Sequence, residues 1–108
     1  MITEHDIQNR IRAALSPYAV IFRANVWKGE TANGKWFDTG LPVGFSDLFG
    51  FRKSDGRAIF IEVKTHTGRA SEAQKNFLFQ MERMGAIAGI CRSPAEALRL
   101  IGADADGT

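Results

Sequence analysis

The chain has 108 residues, 44% of them hydrophobic and 24% charged, with 14 Lys and Arg against 12 Asp and Glu for a net charge of +2. That length fits one domain, and the composition excludes a disordered or collagenous chain. The single cysteine, Cys91, excludes an internal disulfide framework and a thiolate zinc cage. No apolar run approaches a membrane span and the N-terminal residues lack a secretory pattern, so a soluble, intracellular protein is expected.

Thr3 is placed to cap a first helix, with Ile2 and Ile7 at staple positions and Ile7, Ile11, Ala14 and Leu15 at helical spacing until Ser16-Pro17 stops it. Glu4 then lies on the flank of the buried stripe. Ala19 to Val26 is apolar and β-branched enough for a strand. The turn-rich run from Lys28 to Lys35, with Asn33-Gly34 at its tip and Trp27, Trp36 and Phe37 beside it, predicts a hairpin arm.

A loop through Ser46 leads to a strand from about Asp47. Ser54-Asp55-Gly56 turns the chain, and Arg57 to Lys64 returns as its partner. Both faces of that second strand are apolar until Glu62 and Lys64, which predicts a central strand, covered on both sides, whose polar residues emerge only at its C-terminal rim. After the Thr65–Ala70 loop, Ser71 and Gln74 form a capping box, with Phe77, Leu78, Met81 and Met84 as the apolar face and Gly85 as the stop. A short strand over 86–91 follows, ending in Cys91, which reads as a core thiol. Ser93, Pro94 and Glu96 then open a last helix by a second capping box, and Gly102 closes it. The predicted order is α-β-(arm)-β-β-α-β-α, an α/β fold with a mixed sheet flanked by helices, forming one domain over 1–102 with an acidic tail over 103–108. Setting the tail aside leaves 14 bases against 10 acids, an excess compatible with a polyanionic partner.

Chemistry concentrates at one predicted rim. An antiparallel hairpin brings the start of one strand to the end of the other, so Asp47 is expected to meet Glu62 and Lys64. Two carboxylates at a sheet rim repel unless a cation joins them, and oxygen ligands select magnesium or manganese. Lys64 shares the face of Glu62 and is placed to orient an attacking water or help deprotonate it. Glu4 could add a third carboxylate, directly or through water. Alone, the Glu62-Val63-Lys64 triplet is common; Asp47 upstream, the apolar run before Glu62 and the Gln74-capped helix after it make the grouping specific.

Gly44-Phe45-Ser46-Asp47, Phe60-Ile61-Glu62-Val63-Lys64 and Ser71-Glu72-Ala73-Gln74 together resemble the PD-(D/E)xK nuclease superfamily and, within it, the virus-type replication–repair nuclease (VRR-NUC) domain, over essentially residues 3–92. The resemblance implies a restriction-endonuclease-like core and hydrolysis of phosphodiesters with Mg2+ or Mn2+. It makes Asp47, Glu62 and the main-chain carbonyl of Val63 the metal ligands and Lys64 the catalytic lysine, with Glu4 and Gln74 in support. Ser46 departs from the pattern, standing where the superfamily's name puts proline. The resemblance also implies the cytoplasm of a bacterial or phage-infected cell and a structure-selective action on branched, junction or flap DNA.

Arg23, Arg69 and Lys75 are the expected phosphate contacts, helped by the N–H groups opening the Ser71 helix. Lys28 and Lys35 are weaker candidates; His5 reads as exposed, and His66 as a loop histidine without a role, with substrate contact as its alternative. A homodimer is expected, with the aromatic arm as its interface; a helicase or replication partner is left open. Two other readings stand beside the nuclease: a non-catalytic nucleic-acid-binding module that keeps the fold, and an interaction domain using the arm.

Overall fold

A computed structural model describes residues 1–24, 28–30, 34, 36–38 and 40–103. Its elements run α1 (Glu4–Leu15), β1 (Ala19–Arg23), β2 (Lys28–Glu30), β3 (Trp36–Asp38), β4 (Leu48–Arg52), β5 (Ala58–Val63), α2 (Glu72–Arg83), β6 (Ile87–Cys91) and α3 (Pro94–Leu100). This is the expected α/β order. β1, β4, β5 and β6 form one four-stranded sheet in that spatial order. β1–β4 and β4–β5 pair antiparallel, whereas β5–β6 pair parallel across the α2 crossover. The arm strands β2 and β3 pair antiparallel as a separate two-stranded sheet, with Lys28 opposite Asp38 and Glu30 opposite Trp36. Trp27, Asn33, Lys35 and the tail residues 104–108 lie outside the described residues. Ala103, expected to begin the frayed tail, instead donates its N–H to the Leu98 carbonyl (2.9 Å) and packs on the core.

The core lies on one face of the sheet, beneath α1 and α3. Ile7, Ile11 and Leu15 of α1 meet Leu48, Ile59, Ile61 and Val63 of the central strands, with Cys91, Ala97 and Ile101 completing the cluster. α1 starts on a closed capping box: the Asp6 N–H donates to Thr3 Oγ1 and the Thr3 N–H to Asp6 Oδ2. α2 packs on the opposite face against β5 and β6, so β5 is covered on both sides, as its apolar run requires.

Three local expectations change. β1 ends at Arg23 and leaves out Ala24, although the Ala24 N–H still donates to the Asp47 carbonyl at 2.8 Å; Asn25 and Val26, the rest of the expected strand, lie outside the described residues. Met84 is the C-cap of α2 and 72% exposed rather than part of its packed face. The second capping box is not reciprocal: Ser93 Oγ accepts from the Glu96 N–H, but Glu96 Oε1 turns outward to accept from the Arg92 N–H at 2.6 Å.

Candidate active site

β4 starts where β5 ends. Leu48 pairs with Ile61, which leaves Asp47 beside Glu62 and Val63 at the rim. There the backbone ladder gives way to a side chain: the Val63 N–H donates to Asp47 Oδ2 at 2.8 Å. The residue before it, Ser46, is fully buried and its hydroxyl donates to the Leu48 carbonyl at 2.9 Å. A proline could not make that bond, so the serine ties down by hydrogen bonding a loop that a proline would stiffen through its ring. Gly44, at φ +92°, lets the same loop pass under α2, where a Cβ would fall 2.5 Å from the Ala73 carbonyl oxygen.

Glu62 is 1% exposed. Register and side-chain alternation set it on the α2 face of the sheet with Phe60 and Phe49. Gln74 reaches down from the first turn of α2 and donates from Nε2 to Glu62 Oε2 at 2.9 Å. Its Oε1 accepts from the Ser71 N–H at 2.8 Å, while the Gln74 N–H donates to Ser71 Oγ. One side chain thus closes the capping box and orients the acid. Lys64 Nζ lies 3.3 Å from the same Oε2. The other oxygen, Oε1, is buried with no hydrogen-bond partner. Burial first, and the neighbouring Asp47 carboxylate second, push the Glu62 carboxyl up to about 7, against the opposite pull of the Lys64 ammonium.

A buried carboxylate oxygen without a donor costs about 1–3 kcal/mol. Such an atom, in an acid beside a second carboxylate, is what a cation would relieve. Oxygen donors at this rim suit a hard divalent ion such as magnesium or manganese rather than a soft one, so Asp47 and Glu62, with the Val63 carbonyl, fit the metal that the sequence resemblance implies. Among the described residues no three His, Cys, Asp or Glu side chains gather into a metal-holding group. Glu4, half-buried in the first turn of α1, is not gathered with Asp47 and Glu62.

The basic residues divide. Arg69 in the β5–α2 loop and Lys75, next to Gln74 in α2, are both exposed, Lys75 with Glu72 at 3.3 Å. Arg23 pairs with Leu48, whose side chain enters the α1 core, and its guanidinium donates to Asn9 Oδ1 of α1 at 3.0 Å. It therefore lies on the sheet face opposite Glu62. His5 is exposed, as expected, and so is His66. One residue that the sequence reading missed is Arg92, just past β6, which donates from Nη1 to the carbonyls of Thr65 (2.5 Å) and Gly68 (2.6 Å). It clamps the loop that follows Lys64. An isolated arginine after a strand carries no pattern that would signal this; only the parallel β5–β6 pairing, with Val63 opposite Cys91, brings it there.

The family model described as the VRR-NUC domain matches residues 2–95, most of the chain and every residue of this rim. Among curated proteins none matches.

Proposed function

Because the chain belongs to the VRR-NUC domain family, a nuclease-type domain, we propose that it is a divalent-metal-dependent nuclease hydrolysing phosphodiester bonds of DNA, acting as a structure-selective endonuclease on branched, junction or flap forms. The observation that carries this reading is the buried, unpartnered Oε1 of Glu62 beside Asp47. Asp47, Glu62 and the Val63 carbonyl would hold Mg2+ or Mn2+, with Glu4 in support through water. When bound, such a cation supplies positive charge against the phosphate and makes water a stronger nucleophile at neutral pH.

The chain's own groups do the rest. The Val63 N–H fixes one oxygen of Asp47, and the Gln74 amide fixes one of Glu62, so both carboxylates are held before substrate arrives. Lys64, tethered to Glu62 Oε2, carries a positive charge to the rim, where it can orient the attacking water and meet charge growing on the phosphoryl oxygens. Arg92 holds the loop after Lys64 and so keeps that ammonium in place. Arg69 and Lys75 are the phosphate contacts, and the exposed first turn of α2 adds N–H groups.

Purified protein incubated with labelled flap, junction and linear DNA should cleave with magnesium or manganese and not with chelator. Lys64→Ala and Asp47→Asn should each reduce cleavage at least about a hundredfold while melting cooperatively. Absence of cleavage with either metal would favour a non-catalytic binding module, and full activity of both variants would refute the site. We also propose a homodimer joined through the β2–β3 arm; sedimentation as a monomer at micromolar concentration would refute it.

A further inference from the structure

The sheet's exposed apolar side chains line one face and approach the rim at Phe22. Register sets Val20 opposite Phe51 and Phe22 opposite Phe49, and Phe49 opposite Phe60, on the face that carries Glu62. α2 covers β5 and β6, and the outer part of this face stays open: Val20 is 45%, Phe22 46% and Phe51 50% exposed. Phe22 is braced from within. Its ring lies 5.5 Å from Phe49, which meets Phe45 edge-on at 5.6 Å, and Phe45 in turn packs on Phe60 and Phe77. Two residues on, the Ala24 N–H donates to the Asp47 carbonyl, so Phe22 lies one strand step, about 7 Å, below the rim.

Size and continuity decide what covers this ring. Three half-exposed side chains present on the order of 300 Å2, against about 800 Å2 per partner in a stable protein interface. That is too little for a second copy, but it suits a nucleobase. Its Phe22 end also lies one strand step from Asp47, where the proposed function places a phosphodiester. We infer that Phe22 is the stacking platform for one unpaired base of the strand whose backbone lies at the Asp47–Glu62 rim. Bases inside a duplex have both faces covered, so the platform favours substrates with a single-stranded segment next to the cut. The inference rests on the nuclease reading and names the structural feature that reading selects.

The test is binding of fluorescent oligo-dT and of a blunt duplex by the full chain in chelator, where nothing is cut, followed by flap cleavage with manganese. Phe22→Ala should weaken oligo-dT binding about tenfold and leave duplex binding unchanged, while Phe22→Trp should restore it. Phe51→Ala, one step further from the rim, should change it less than twofold. Unaltered oligo-dT affinity in Phe22→Ala, with wild type still binding and cutting, would overturn the platform and leave the nuclease reading standing. An equal loss in Phe51→Ala would overturn the placement of the base at Phe22. Conversion of a dimer to a monomer by Phe22→Ala, with affinity unchanged, would assign the patch to self-association instead. Wild type that neither binds nor cuts any nucleic acid would remove both readings together.

Discussion

Glu62 has one oxygen held by Gln74 and Lys64 and one held by nothing, and its titration follows from that imbalance. In chelator the folded protein keeps the Glu62 proton up to about 7, whereas an unfolded chain releases it near the ordinary 4.5. Between those values the folded state binds more protons, so stability falls as pH rises from about 4.5 to about 7 and is level above. Urea midpoints at pH 5 and pH 8 should differ by the equivalent of about 2–3 kcal/mol for this group, and Glu62→Gln should remove the difference. A wild-type profile as flat as the variant's would show that the acid is not held in this state. The residue types at the rim were readable because an apolar run that ends in Glu-x-Lys announces a buried strand with a charged exit. Two contacts were not readable. Arg23 reads as a free base until pairing with Leu48 fixes its face, and the Arg92 clamp depends on an alignment of strands 27 residues apart at Thr65.

At the scale of the elements, the α2 N-terminus was legible because Ser71 and Gln74 stand at the reciprocal spacing of a capping box; what spacing could not say is that the same amide reaches Glu62. The β1–β4 pair hides a tighter constraint. Gly50 faces Ile21 across the ladder, and a Cβ there would fall 1.8 Å from the Val20 carbonyl oxygen. Because that obstacle is backbone, it cannot rotate away. Gly50→Ala should therefore lower stability by at least about 3 kcal/mol, read as a lower urea midpoint. A shift under about 1 kcal/mol would mean that β1 can move off β4 without cost. Neither the end of β1 nor the exposure of Met84 follows from propensity, since both are set by tertiary context.

For the molecule as a whole, the element order and the parallel β5–β6 pair followed from the strand–helix–strand run, since a crossover helix between adjacent strands gives parallel pairing. The core it builds encloses Cys91, which is 1% exposed and whose thiol burial pushes up to about 12. It lies in one cluster with residues of α1, β5 and α3, so a reagent reaches it only when that cluster opens. Labelling by a thiol reagent should proceed at the global unfolding rate measured by circular dichroism. Immediate labelling of native protein would mean that α3 opens independently. Among the described residues no helix is long and apolar enough to cross a membrane.

The hydrogen bond from the Val63 amide to Asp47 separates the histories open to the two acids. A lineage that stopped cutting phosphodiesters would still need something at position 47 to finish the hairpin, and selection for folding alone would retain an acceptor there. At 62 the scaffold engages one carboxylate oxygen, through Gln74 and Lys64, while the spare oxygen burdens a protein that holds no cation there. If the proposed function holds, drift should erase Glu62 first, which makes it, more than Asp47, the residue to inspect in deciding whether a relative of this chain keeps that function.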